Sequence, residues 1–321
     1  MPKIAWFSSY DQDILDFYLE YLPDGYTVES AGAQTPVESM VNMVKDADFI
    51  VLHQLELPEE VYRAGTNVKF VQLLSAGYDN INLHLLEELG IPVSNIGGVN
   101  AQGVSELTLT LILSLYRRLV QMDVGLRGGK WLKDINTGHS ISELAEKTVG
   151  IVGLGNIGRM VAKRLSGFDT TLLGYDLMEP STEEIALGIK RVSLDELLGT
   201  SDIVTLHIPL LRGTTSMISS AELAMMKPTA IIINTSRGPI IDEQALINAL
   251  QNKTIAGAGL DVFATEPIDI NNPLIKMDNV VLTPHAAGST NESWPRRAKF
   301  TFGNLERVTN GQAPLSAVKP E

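Results

Sequence analysis

The feature that most constrains this chain is an alternation of short β-branched or apolar runs with helix-period segments, and the alternation starts twice. Such a pattern specifies parallel βαβ units. The first series has strand-like runs at 4–7, 28–30, 49–52, 70–74 and 92–94, with helical patterns at 11–21 and 83–89 among the segments between them. Residues 104–120 then read as one long helix, apolar on most sides and closed by a glycine-rich loop at 125–129. A helix of that kind is buried, in a core or between subunits. The second series has runs at 148–152, 171–175, 203–207, 230–234, 257–261 and 280–283. Six strands are the number of a full dinucleotide-binding sheet. The fold class expected is therefore α/β, with two doubly wound parallel-sheet lobes.

Composition narrows the function. The formal net charge is −13, and nucleic-acid binding needs a basic face to displace counterions, so no nucleic-acid partner is expected. Residues 1–100 hold 4 Lys and Arg against 15 Asp and Glu, whereas the remaining 221 residues hold 21 against 23. This asymmetry suggests a domain junction near residue 100. The chain has no cysteine, which removes disulfides, thiolate metal sites and a cysteine nucleophile; no metal is expected. The best candidate for a membrane span, 107–116, has ten uncharged residues between Glu106 and Arg117, and a span needs roughly twenty. The N-terminus runs directly into a strand pattern with no signal-peptide features. A cytoplasmic protein with no membrane association is the expectation.

The first strand of the second series, Thr148-Val149-Gly150-Ile151-Val152, leads into Gly153-Leu154-Gly155-Asn156-Ile157-Gly158. Ile157, Val161 and Leu165 then recur on one face of a helix, and a second strand ends at Asp176, 18 residues after Gly158. This is the context a GxGxxG motif requires to be a dinucleotide fingerprint. Gly153 allows the tight turn, Gly155 lets the backbone approach a pyrophosphate, and Gly158 lets helix and strand pack closely. The helix N-terminus offers unpaired N–H groups to the phosphates. Asp176 is placed to accept hydrogen bonds from a ribose and to repel a 2′-phosphate. The residues after it, Leu177-Met178-Glu179, include no cation, and the next basic residue is Lys190. NAD is expected over NADP.

Three later strands end in polar residues: Thr235-Ser236-Arg237-Gly238, then Asp261-Val262-Phe263 with Glu266-Pro267, then Pro284-His285-Ala286-Ala287-Gly288. Ligands of open α/β sheets bind at the carboxyl ends of strands, so an arginine, a glutamate and a histidine share the ligand edge. Alone, each is an ordinary surface or loop residue; together beside a nucleotide fingerprint they form a catalytic set. Histidine titrates near neutrality and can move a proton. A neighbouring carboxylate favours the imidazolium and orients it. An arginine's planar fork matches a carboxylate.

These motifs, with Ser75-Ala76-Gly77-Tyr78-Asp79-Asn80 in the first lobe and His207-Ile208-Pro209-Leu210 in the second, resemble the D-isomer-specific 2-hydroxyacid dehydrogenases over nearly the whole chain. The resemblance implies a Rossmann-type nucleotide domain, 100–289, inserted in a flavodoxin-like substrate domain made of 1–99 plus 290–321, with the active site in the cleft. It implies catalytic roles for Arg237, Glu266 and His285. Cofactor contacts are expected from Gly153, Gly155, Asn156, Ile157, Gly158, Asp176, His207, Pro209, Thr235, Ser236, Arg237, Asp261, His285, Ala287 and Gly288. Substrate contacts are expected from Ser75, Ala76, Gly77, Arg237 and His285, with backbone amides holding the carboxylate. The activity implied is hydride transfer between NAD(H) and C2 of a small D-2-hydroxy or 2-oxo acid, mostly as reduction.

Relatives acting on phosphorylated hydroxyacids tend to carry a basic residue before the glycine of the first-lobe loop. Here the stretch is Gln72-Leu73-Leu74-Ser75, so a non-phosphorylated substrate is expected. Leu74, Tyr78 and Trp294 suggest an apolar or medium-sized substrate side chain. A homodimer through the nucleotide domain is expected, with the 104–120 helix at or under the interface. His53, His84 and His139 are expected to be surface or packing residues, with His53 also placed to face the cleft. The alternative function is an NAD-sensing, corepressor-like interaction protein on the same fold.

Overall fold

The computed structural model describes residues 1–132 and 141–320; His139 lies outside them. Contacts divide the chain into two compact units, one of Met1–Asn100 with Thr290–Glu321, the other of Ala101–Ser289. The strands of the first unit are β1 (Lys3–Ser8), β2 (Thr27–Ala31), β3 (Phe49–His53), β4 (Phe70–Leu73) and β5 (Val93–Ser94). The second unit contributes β6 (Thr148–Val152), β7 (Thr171–Tyr175), β8 (Lys190–Arg191), β9 (Ile203–Leu206), β10 (Ile231–Asn234), β11 (Gly257–Leu260) and β12 (Val280–Leu282). A last strand, β13 (Ala317–Val318), returns to the first unit.

In the first unit the sheet order is β13-β5-β4-β3-β1-β2, parallel except where β13 meets β5. Its first five strands follow the flavodoxin-like order. The sheet is buried on both faces, as parallel sheets are: every residue of β3 and β4 is buried. The C-terminal helix Ser293–Thr309 joins this unit by packing Ala298, Phe302 and Leu305 into a cluster with Trp6, Phe49 and Phe70. A buried amide pair reinforces it, Asn304 Nδ2 donating to Gln72 Oε1 at 2.8 Å. Leu52, Leu73 and Leu74 are all core residues. Leu74 is therefore packing, not part of a substrate wall.

In the second unit the order is β12-β11-β10-β9-β6-β7-β8, parallel throughout. Counted from β6 this is the Rossmann order with a seventh strand beyond it. The sequence pattern anticipates six strands; β8 is the addition. It is two charged residues long, too short and too polar to show a period.

The register sets the functional edge. Val152 pairs with Tyr175 and with Leu206, Leu206 with Asn234, Asn234 with Leu260, and Leu260 with Leu282. The residues that follow these positions, Gly153, Asp176, His207, Thr235, Asp261 and Thr283, therefore leave the sheet side by side at its carboxyl edge. The order in which strands are added reverses between β6 and β9, which is the switch point where α/β sheets bind ligands.

The single long helix expected at 104–120 is two helices. The first, Ala101–Arg117, buries most of its length; Arg118 then takes a left-handed conformation (φ 51°), and a second helix, Leu119–Arg127, follows. A left-handed residue stops the hydrogen-bond ladder. The apolar pattern runs through the break, so periodicity does not reveal it. The second helix also extends into the expected glycine-rich loop, ending at Gly128. It has no buried residue, and Leu119, Val120, Val124 and Leu126 are exposed, as is the following Trp131.

Candidate active site

The glycine-rich turn is built for close approach. Gly153 has φ +92°, and a Cβ there would lie 2.6 Å from the His207 carbonyl oxygen. A Cβ on Gly158 would lie 1.9 Å from the Gly153 carbonyl oxygen. At Gly155 a Cβ would meet nothing within 4 Å, so the turn presents open space where a pyrophosphate needs it. The helix Asn156–Leu165 starts at this point, with Asn156 exposed and Ile157 half-buried. The helix N-terminus at this turn and the open face at Gly155 fit a dinucleotide.

Asp176 is held to this turn. Its Oδ2 accepts from the Leu154 amide at 2.7 Å, and its Oδ1 from the Met178 amide at 2.9 Å. The structure also brings a cation that the local sequence does not show. Arg191, on β8 beside β7, donates from Nη1 to the Asp176 carbonyl oxygen at 3.0 Å. Its Nε and Nη2 both meet Glu184 Oε2, at 2.8 and 2.7 Å.

The loop after β10 is shaped by Asn234. Its Oδ1 accepts from the Ser236 amide and hydroxyl, and its Nδ2 donates to the Arg237 carbonyl oxygen at 2.9 Å. Thr235 is buried, its hydroxyl 3.1 Å from that of Thr108, which in turn donates to the Val104 carbonyl. Ser236 and Arg237 are half-buried, and Arg237 Nη1 donates to the Ser236 carbonyl at 2.8 Å.

His285 and Glu266 meet. The Nδ1 of His285 lies 2.7 Å from Glu266 Oε2, while Glu266 Oε1 accepts from the Phe263 amide at 3.0 Å. Burial opposes the charge on Glu266. The His285 hydrogen bond, the Phe263 amide and the nearby charges of His285 and Arg237 outweigh it and hold the carboxyl below its ordinary range. An ionised carboxylate accepts, so Nδ1 carries the proton that faces Glu266.

The His285 backbone is itself constrained. Its φ is +50°, an uncommon conformation for a residue with a Cβ and one that clusters at functional sites. Asp261 imposes it. This residue is fully buried, and its carbonyl accepts from the His285 amide at 2.7 Å. Its Oδ1 accepts from the Thr283 hydroxyl and the Ala286 amide, and its Oδ2 from the Ala287 amide. Both carboxylate oxygens thus serve the His285 loop. Ala287 is buried and Gly288 half-buried just beyond.

His207 follows β9, with Nε2 2.9 Å from the Thr205 hydroxyl and Nδ1 buried without a protein partner. Burial pushes its imidazole down to about 3, so the ring is neutral at physiological pH. Pro209, two residues on, is exposed.

In the first unit the loop after β4 has its carbonyls engaged. Ser75 Oγ donates to the Gly77 carbonyl at 2.7 Å, Asn95 Nδ2 to the Ala76 carbonyl at 2.8 Å, and the Ile96 amide to the Ser75 carbonyl at 3.2 Å. The Ala76 and Gly77 amides have no protein acceptor among the described residues. Nearby in the register, Ser8 pairs with His53 and Leu52 with Leu73. The His53 ring is buried and stacks on Tyr10 at 3.6 Å, and Tyr10 meets Trp294 edge-on at 5.4 Å. His84 is exposed. Tyr10, Asn95, Thr108 and Arg191 are the residues that sequence reasoning missed. Each meets its partner through the fold, from 7 and 15 residues away for Arg191 to 127 for Thr108, and carries no local motif.

Comparison with known proteins places this arrangement. Residues 109–287 match the family described as D-isomer specific 2-hydroxyacid dehydrogenase, NAD binding domain. A glyoxylate reductase from Thermofilum pendens is 41% identical over 290 residues, covering 88% of this chain and 85% of the relative. A glyoxylate reductase structure from Paecilomyes thermophila superposes with a TM-score of 0.88 at 28% identity, covering 99% of each chain. An NAD-complexed D-isomer specific 2-hydroxyacid dehydrogenase from Lactobacillus delbrueckii ssp. bulgaricus gives a TM-score of 0.81 at 27% identity, covering 99% of this chain and 100% of that one. The chain belongs to the D-isomer-specific 2-hydroxyacid dehydrogenase family. It is an NAD(H)-dependent oxidoreductase that exchanges a hydride with C2 of small D-2-hydroxy and 2-oxo acids, and the enzyme reading stands over the NAD-sensing alternative. Among the described residues, no helix is long and apolar enough to cross a membrane.

Proposed function

We propose that this enzyme reduces a small, non-phosphorylated 2-oxo acid, glyoxylate first among them, with His285 as the acid. The observation that carries the proposal is the 2.7 Å pairing of His285 Nδ1 with an ionised Glu266. It keeps the Nδ1 proton on the carboxylate, so the imidazolium gives its Nε2 proton to the carbonyl oxygen and is left as the neutral Nδ1–H form. NADH, when bound, supplies the hydride that reaches C2. Arg237 takes the substrate carboxylate through its fork and polarises the carbonyl. The free amides of Ala76 and Gly77, with Ser75 shaping their loop, are substrate contacts that can hold a carboxylate without a basic side chain. In the oxidation direction His285 Nε2 accepts the hydroxyl proton.

The Ala101–Ser289 unit is the cofactor domain and the other unit the substrate domain. Gly153, Gly155, Asn156, Ile157 and Gly158 hold the pyrophosphate. Asp176 takes the adenosine ribose. Thr235, Ser236, His207, Pro209, Ala287 and Gly288 line the remainder of the cofactor edge, and Asp261 holds the His285 loop there. The relatives named glyoxylate reductase support the choice of a small substrate.

The protein works as a cytoplasmic homodimer. The exposed side chains of Leu119, Val120, Val124, Leu126 and Trp131 form an apolar surface on the cofactor unit that a second copy covers. This surface lies on the helix after the break at Arg118, displaced from the helix first expected to line the interface.

The direct experiment is NADH oxidation by the purified protein with glyoxylate, hydroxypyruvate, pyruvate, phenylpyruvate and 2-oxoisocaproate. Highest kcat/KM with glyoxylate supports the proposal. A clear preference for either of the two bulkiest acids overturns the substrate choice and leaves the chemistry standing.

A further inference from the structure

The Asp176 carboxylate is bound by its own protein in the way an anion is bound. Two backbone amides, from Leu154 and Met178, donate to its two oxygens at 2.7 and 2.9 Å. A guanidinium, that of Arg191, sits on the same residue's carbonyl oxygen at 3.0 Å. Amides from two separate loops converge on this carboxylate beside an arginine, and backbone N–H groups gathered in this way make an anion-binding concavity. Arg191 reaches it from β8, whose pairing with β7 sets Arg191 opposite Gly174, two residues before Asp176. Its charge is restrained by Glu184, which is buried and itself accepts from the Ser181 hydroxyl at 3.1 Å.

We propose that the Leu154 and Met178 amides with Arg191 form a latent 2′-phosphate site, which the Asp176 carboxylate fills. The inference rests on the reading of Asp176 as the ribose acid. In the native chain the side chain neutralises the site, leaves a 2′-hydroxyl as the group it accepts, and repels a phosphate. Removing the carboxylate releases both amides and leaves the Arg191 guanidinium beside them, on the carbonyl of residue 176 and paired only with Glu184. NADP discrimination in this chain is thus an occupied anion site, not a missing cation. Arg191 is its specificity-determining residue and Glu184 sets how much of its charge is available.

The test measures binding to the whole enzyme by calorimetry, with 2′,5′-ADP and 5′-AMP as probes, alongside kcat/KM for NADPH and NADH. Asp176→Ser should tighten 2′,5′-ADP relative to 5′-AMP by about tenfold or more, the size of one charge-assisted hydrogen bond. Adding Arg191→Ala should erase most of that gain, and Arg191→Lys should keep part of it, because the charge remains and the fork is lost. Glu184→Gln in the Asp176→Ser background should tighten 2′,5′-ADP further; this arm keeps Arg191 and its packing, so it stands if the alanine variant does not fold. If Asp176→Ser alone fails to favour 2′,5′-ADP, or if the gain survives Arg191→Ala, the latent site does not exist. If Asp176→Ser leaves NADH and 5′-AMP binding as in the native enzyme, the ribose assignment itself is wrong, a separate failure.

Discussion

His285 Nδ1 and Glu266 Oε2 lie 2.7 Å apart, and the second oxygen of the same carboxylate is tied to the Phe263 amide. The carboxylate can therefore neither rotate away nor share itself with another partner without breaking a backbone contact. His285→Ala should lower kcat by about 10²- to 10⁴-fold, the range of positioned acid–base catalysis, while NADH still binds. Glu266→Gln should slow reduction, because an amide neither orients the ring through Nδ1 nor balances the charge of the imidazolium. Steady-state rates across pH with NADH binding by fluorescence check both; a near-native kcat for the alanine variant removes His285 from the proton path.

Arg237 is asked to bind a carboxylate by shape as well as charge. Arg237→Lys keeps the charge and loses the fork. The loss of a charge-assisted bidentate contact, very roughly 1.5–3 kcal/mol, corresponds to a fall of about 10- to 100-fold in kcat/KM. Most of it should appear in KM for the 2-oxo acid rather than KM for NADH. Equal losses in both would show that Arg237 acts on the loop instead of the substrate.

Asp261 holds the His285 loop with both carboxylate oxygens while fully buried. Asp261→Asn places an amide NH₂ against backbone N–H donors. An unsatisfied buried donor costs roughly 1–3 kcal/mol, more where the partner was charged. In a unit of this size that lowers Tm by about 2–4 °C per kcal/mol. A thermal melt that does not move would show that the loop holds itself.

The acid sensitivity of this protein should show two windows. Burial pushes His207 down to about 3, below its unfolded value near 6.5. Between those values the unfolded chain binds a proton that the folded chain does not, so stability falls as pH drops below about 6.5. Carboxyls held low in the fold, Glu266, Asp202, Glu222 and Asp48, begin to contribute only as pH falls through about 4.3 and below. His207→Gln should therefore flatten the decline between pH ~6.5 and ~4.5 and leave the lower window intact. Denaturant unfolding at a series of pH values distinguishes the two.

The helix Leu119–Arg127 shows Val124 at 65% and Leu126 at 58% of their full exposure, with Trp131 at 78% beyond it. Val124→Asp with Leu126→Asp should convert a dimer to a monomer in light scattering. A native protein that is already monomeric at micromolar concentration would remove the dimer from the proposal.

Much of the fold was legible because its signals are local. The runs that became β1, β3, β6, β9 and β10 are β-branched or apolar and continuous, and the glycine turn announces itself by spacing to Ile157, Val161 and Leu165. β8 was not legible, because Lys190–Arg191 is a strand only by virtue of the edge it pairs with. The break at Arg118 was hidden for the opposite reason: apolar residues continue through it, and a single left-handed φ changes which of them are buried. Leu74 looked like a cleft residue from its position beside Ser75 but belongs to the core.

The order of residues along the chain determined the α/β class, the dinucleotide turn with its acid 18 residues on, and the presence of an arginine, a glutamate and a histidine after three separate strands. Those features depend on neighbours a few positions apart. The tertiary structure decided everything that depends on neighbours across the sheet. It aligned the strand ends from Val152 to Leu282 and turned Glu266 onto His285. It placed buried Asp261 under the histidine loop and carried Arg191 to Asp176. The physical reason is register: hydrogen bonds between strands distant in sequence fix which side chains meet, and no period in the chain encodes that pairing.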